Sequence, residues 1–396
     1  MAVFELRPPL TAEERAEKRR LILRDSMALL SLFAITVILG ALTYSLFGSF
    51  TRHRDVLARR WRANGERALK SGHPKEAIEA LRSALEYAPG QRDLEVELAM
   101  ALAAANRNLE AAAYFNSLLD TQPGNGLIHL QLARLAAKQG NATLAVEHYQ
   151  RALDGTWEGD GYQRRLSVRL ELAGYLISRK NFPQAQSELR TAAGNAPNVP
   201  ETRLQIARLM EQAQDPADAL DIYRVETRRK NASVEALEGA GRTAYELGRI
   251  GIARPALARA VNAREFHMQA NDVRQPILQM LENSVRILQL YPDPNLPVRA
   301  LAGRILNDAN IARARFSSCF ANANASGEME NLRSQWQQIP AKLSVNALEQ
   351  DPQLEQTTMS LVYDTETQTA QLCGAPTGDD ALLLKIAQAP TMVLQP

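Results

Sequence analysis

Few side chains in this sequence are suited to chemistry. It has five histidines, His53, His73, His129, His148 and His267, and two cysteines, Cys319 and Cys373. A zinc protease would place two histidines one turn apart around a glutamate, so that both rings reach one metal from one helix face. No HExxH pair occurs, and no histidine sits beside a cysteine or an acidic cluster. His129 and His148 read as ordinary helix residues. The phosphate-cradling GxxxxGK[ST] and GxGxxG loops and the GxSxG nucleophile elbow are also missing. GDD at Gly378 to Asp380 reads as a helix start with an Asp at the cap. The NxS/T matches at Asn141, Asn231 and Asn324 need only two residues each and carry little weight. The chain is therefore not expected to be an enzyme, to bind a metal or cofactor, or to take a small-molecule substrate.

The cysteines lie 54 residues apart. That cannot make a CxxC redox site, and two thiols cannot supply a four-ligand zinc site. Two readings stand. Either Cys319 is simply a small buried residue, or Cys319 and Cys373 form a disulfide tying down the C-terminal region. By chain entropy such a bond is worth about 4 kcal/mol, and it requires an oxidising compartment.

The elements around these residues are helical. KEAIEALRSALEYAPG, residues 75–90, sets Ala77, Leu81, Ala84 and Leu85 on one face before Pro89 and Gly90 stop the helix. One such helix cannot bury that face alone. Ala77 recurs 34 residues on as Ala111 and again as Ala145, then after 40 as Ala185, then at 34 as Ala219 and Ala253. A large residue travels four places behind: Leu81, Phe115, Tyr149, Leu189, Tyr223, Leu257. Upstream of each copy a second helix carries a small residue at Gly65, Ala99, Ala133, Ala173, Ala207 and Gly241, which allows close helix approach. Gly72, Gly140 and Gly248 fall in the turns between paired helices, where a left-handed residue is commonly needed.

This pattern resembles the tetratricopeptide repeat family, whose unit is a 34-residue antiparallel helix pair. The first copy is the most family-like, with Trp61, Gly65, Ala77, Leu81, Ala84 and Pro89. The resemblance implies an all-α fold: a right-handed α-solenoid of helix-turn-helix repeats over residues 58–267, in copies 58–91, 92–125, 126–159, 166–199, 200–233 and 234–267. The pattern departs at Trp157, Asn231 and Glu265, where a proline is expected, and at Glu226, which replaces a small buried residue. Six residues are inserted near TWEGDGYQRR, and its glycines suggest a loop that bends or loosens the stack. Residues 268–396 read as a helical C-terminal region. Within it Ala312, Phe316 and Cys319 suggest a degraded seventh copy near 293–326.

The same resemblance implies that the first helix of each pair lines a concave groove. Here that groove would show Arg59, Arg62, Val96, Met100, Leu127, Leu130, Arg134, Leu170, Ile177, Leu204 and Arg208, apolar in the middle with arginine at both ends. Such a surface suits an extended or amphipathic peptide, although any one of these residues could equally pack neighbouring helices. Glu66 and Met100 stand where the family's chaperone-binding clamp would want asparagines, so that specialised function is not implied. Formal net charge is +2 with 23% charged residues, which offers no basic field for nucleic acid.

Residues 26–50, SMALLSLFAITVILGALTYSLFGSF, contain no charge. At about 1.5 Å per residue they outreach a hydrocarbon core of roughly 30 Å. They also exceed the apolar stretch of about 7–15 residues typical of a cleaved signal peptide. The expectation is one transmembrane helix contacting the lipid bilayer. A polar helical tail (1–25), opened by a Thr11/Glu14 capping box, precedes it, and a basic juxtamembrane segment (51–57) follows. Arginines flank both ends, so the positive-inside rule ties. The preferred reading is an inner-membrane, single-pass scaffold of a bacterium. Its array lies outside the cytoplasm, holding a protein or peptide partner in assembly of envelope or secreted proteins. The alternative is a cytoplasm-facing tether that recruits a soluble complex, and an enzyme site within 268–396 ranks last.

Overall fold

The fold is that of a computed structural model describing residues 11–322, 327–340 and 343–395. Asn324 and residues 1–10 lie outside the described residues. Those described are all-α, without a strand among them, and the chain divides into two compact units, 1–159 and 160–396.

The first unit begins with α1 (Ala12–Lys70), a single helix of 59 residues. Thr11 and Glu14 close its capping box: the Thr11 N–H donates to Glu14 Oε2 at 2.9 Å. The helix then runs unbroken through the uncharged stretch and on through residues 51–57. This is one helix long and apolar enough to cross a membrane, and its side chains from Met27 to Phe50 are almost all exposed. Its last turns pair with α2 (Pro74–Tyr87), and two further pairs follow, α3 (Arg92–Ala104) with α4 (Asn108–Thr121) and α5 (Gly126–Lys138) with α6 (Ala142–Asp154).

The repeated residues explain the pairing. Ala77, Ala111 and Ala145 are fully buried, as are Leu81 and Phe115 four places on. A Cβ added to Gly65 would sit 2.7 Å from Leu81 Cγ, so only glycine permits that approach of α1 to α2. The turns keep the same left-handed backbone whether or not glycine is present: Gly72, Asn106 and Gly140 have φ of 74°, 60° and 78°.

Residues 155–159 are tied back into the first unit. The Thr156 N–H donates to Gly124 O at 2.7 Å, and the Gly126 N–H donates to Thr156 O at 2.9 Å. Trp157 Nε1 donates to Ala152 O at 2.9 Å, and its ring fills the space beside Gly126 that any larger residue would need. Trp157 thus anchors the end of the third copy where proline was expected.

The second unit opens with α7 (Gly161–Ser178), which is 18 residues long where its counterpart α5 has 13. Most of the insertion is thus an extra turn of helix, capped by Asp160 Oδ1, which accepts from the Tyr162 and Gln163 N–H groups at 3.1 Å. It pairs with α8 (Phe182–Asn195), followed by α9 (Pro200–Gln212) with α10 (Pro216–Thr227) and α11 (Val234–Glu246) with α12 (Ile250–Val261). Ala185, Ala219, Ala253, Leu189, Tyr223 and Leu257 are again buried. Glu226, the misfit at a small buried position, ion-pairs with Arg229 and lies 3.8 Å from Arg203, which offsets the cost of burying its charge.

Beyond α12 come the one-turn α13 (Arg264–His267), α14 (Asn271–Leu290), α15 (Val298–Asn322), α16 (Gly327–Gln338), α17 (Val345–Gln350), α18 (Pro352–Cys373) and α19 (Gly378–Gln388). The degraded seventh copy expected near 293–326 is not a helix pair, because α15 runs unbroken where its turn would fall. Ala312 and Cys319 are buried by α15's packing against α18, in a core reaching from Ile250 to Val393. Cys319 on α15 is bonded to Cys373 at the end of α18, with Cα atoms 5.7 Å apart. The chain end returns to the sixth copy, where the Gly251 N–H donates to Val393 O at 2.8 Å. The apolar end of a repeat stack needs such a cover.

Candidate partner-binding surface

The expected groove residues fall into three kinds. In the first unit Val96, Met100 and Leu127 are half-buried, with Val96 and Met100 leaning on the core formed by Leu94, Leu98 and their neighbours. In the second unit Ile177 is half-buried in the same way. These four keep apolar surface available to a ligand.

Leu130, Leu170 and Leu204 do not. They are 7%, 8% and 5% exposed, which corrects the expectation that they meet a partner. The physical reason is that a first helix has neighbours on both flanks. On α5 the buried set is Ile128, His129, Leu130, Leu132, Ala133, Leu135 and Ala136, far wider than a single amphipathic stripe.

Several of the arginines are engaged between or within first helices. Arg62 bridges α1 to α3 through Glu97 at 2.5 Å and also meets Glu66 at 3.3 Å. Burial pushes the Glu97 carboxyl up, against the downward pull of Arg62. Arg208 ion-pairs with Glu235, joining α9 to α11, and Arg242 makes a second such tie to Glu211 at 2.9 Å. The exposed Arg59 donates to Asp55 O of its own helix at 3.2 Å, and Arg134 is exposed. Part of the expected basic rim is therefore spent on holding neighbouring repeats in register.

Residues 62–126 and 96–160 match the family model for the tetratricopeptide repeat. Residues 62–160 carry tetratricopeptide repeats. Among solved structures it is similar to PilF of Pseudomonas aeruginosa, at 18% identity over 57% of this chain and 98% of that one, with a TM-score of 0.39. It is also similar to PilW, a type IV pilus biogenesis factor (16% identity, 56% and 98% covered, TM-score 0.39). A third is YrrB, a repeat protein with an unusual peptide-binding site (19% identity, 48% and 96% covered, TM-score 0.36). No curated protein matches the chain.

Two polar constellations inside the tetratricopeptide array and its C-terminal cover escaped the sequence reading. His129 and His148, on α5 and α6, are buried ring to ring with their Nδ1 atoms 3.1 Å apart. With His129 Nε2–H donating to Pro123 O at 2.9 Å, its Nδ1 is the acceptor and His148 Nδ1–H the donor. Burial, and then the neighbouring His129, hold His148 below its ordinary value. Nothing in sequence marks residues 19 apart as partners.

The second is acidic. Asp308 on α15 and Glu366 on α18 are fully buried, and burial pushes their carboxyls up to about 7 and about 8. Glu366 faces Asp380 on α19, which burial also raises. The GDD motif is thus a helix start, but its cap is Thr377 rather than an Asp, and Asp379 instead receives Arg286 at 2.6 Å. Asn141 serves as the cap of α6, its Oδ1 accepting from the Leu144 N–H at 3.2 Å. Among the described residues, no group of three or more His, Cys, Asp or Glu side chains could hold a metal ion.

Proposed function

We propose that this protein is a single-pass, membrane-anchored scaffold. Its tetratricopeptide array, held outside the cytoplasm of a bacterium, binds a protein or peptide partner in the assembly of envelope or secreted proteins. The observation carrying this reading is the continuity of α1, which passes from the uncharged stretch straight into the first repeat helix. The array is then presented at a membrane surface by its own first element. The Cys319–Cys373 bond supports the extracytoplasmic side, because disulfides persist in oxidising compartments. The partner's apolar side chains would meet Val96, Met100 and Leu127 in the first unit.

Met100 is half-buried, so Met100→Glu can turn its charge to water and leave the fold intact, while setting that charge against an apolar ligand. Crosslinking in intact cells, read by mass spectrometry, should give an adduct that Met100→Glu depletes while circular dichroism stays unchanged. An undiminished adduct from the folded variant would remove this surface from the function.

A further inference from the structure

Arg52 on α1 is the first charged residue after the uncharged stretch 26–50. At that boundary an open hollow of about 570 Å³ lies on the side of the helix, lined by Tyr44, Ser45, Phe47, Gly48, Ser49, Thr51 and Arg52. Tyr44, Gly48 and Arg52 follow at four-residue steps and so share one helix face. A Cβ added to Gly48 would meet nothing within 4 Å, so the packing that demands glycine at Gly65 is absent here. Glycine is a poor residue for a helix interior, and no contact within the chain requires it at this position. The neighbouring Arg54 is engaged, donating to Tyr87 O at 3.0 Å and lying over the Phe50 ring at 5.9 Å. Arg52 is exposed, and among the described residues its side chain makes no ion pair or hydrogen bond.

These features match a molecule with one apolar end and one anionic end. A tyrosine such as Tyr44 suits the boundary between hydrocarbon and headgroups, and a guanidinium binds phosphate through paired N–H donors. The hollow falls within the roughly 300–1,000 Å³ common for small-molecule sites. We propose that it seats one anionic phospholipid, with the phosphodiester at Arg52 and an acyl chain running past Gly48 and Tyr44. The inference rests on the reading of residues 26–50 as a membrane anchor.

The test titrates the full chain in detergent with phosphatidylglycerol or phosphatidylcholine and reads adducts by native mass spectrometry. One phosphatidylglycerol should bind, more tightly than phosphatidylcholine. Arg52→Gln should weaken phosphatidylglycerol about tenfold and erase the preference. Gly48→Leu, which fills the hollow, should weaken both lipids. Arg60→Gln removes an exposed charge outside the hollow and should leave the affinity unchanged. Equal losses from Arg52→Gln and Arg60→Gln would leave only diffuse attraction and overturn the site, as would full binding by Gly48→Leu. A doubled protein mass without lipid would give the hollow to a second copy and overturn the lipid. An adduct with glycerol phosphate as tight as that with phosphatidylglycerol would give it to a soluble phosphate and do the same. Alkaline carbonate extraction from vesicles of the same lipids is read separately. Release of the chain there defeats the anchor reading itself, whereas retention with no lipid preference in the titration defeats this site alone.

Discussion

At the scale of single residues, small side chains decide the packing. Ala111 is fully buried where α4 meets its neighbours, with no room for more volume. Ala111→Leu should overpack that junction and cost about 1–3 kcal/mol, read as a lower thermal midpoint. An unchanged midpoint would remove Ala111 from the helix crossing. These alanines were legible in the sequence because their spacing recurs, and each copy vouches for the others. Leu130, Leu170 and Leu204 were misread because a single helix's periodicity reports one buried face, whereas a helix flanked on both sides buries more. The His129–His148 contact was not legible at all, since each residue looks ordinary within its own helix.

At the scale of elements, the helices of the repeats could be read from periodicity, and those after α13 only as helical runs. Neither the unbroken course of α15 nor the return of the chain end to Gly251 has a local signature. Thr365, Glu366 and Thr369, in the polar run TETQT, are fully buried on α18. This hidden acidity sets a pH dependence. Folded Asp308 and Glu366 hold their protons up to about 7 and about 8, whereas unfolded carboxyls release them near 4. Between those limits the folded state binds more protons, so stability is greatest at acid pH and falls as pH rises through about 8. Thermal melts at pH 6 and pH 9 should show the lower midpoint at pH 9. Glu366→Gln, which cannot ionise, should shrink that difference, and an unaltered difference in the variant would clear Glu366 of the effect.

At the scale of the whole molecule, the proposed membrane anchor would set the repeats on one side or the other of a bilayer. Arginines on both flanks of residues 26–50 balance each other, so the disulfide is the stronger guide. Alkaline phosphatase fused after Pro396 should be active, because it folds only under oxidising conditions, and green fluorescent protein exported unfolded from the same position should stay dark. A dark-to-bright reversal of that pair would move the repeats to the cytoplasm and leave the tether reading in place.

The unbroken course of α1 has a geometric consequence. Its 59 residues form a rod of about 88 Å, at about 1.5 Å per residue. With no hinge between Thr51 and Leu57, the compass bearing of the first repeat is locked to the rotation of residues 26–50, the segment proposed to sit in lipid. One residue added there would swing the first repeat by about 100° and lift it by about 1.5 Å, while four added residues would bring it back to within about 40° of its original heading. Whatever docks on α3 would meet a surface whose azimuth is written in the residue count of a seven-residue stretch.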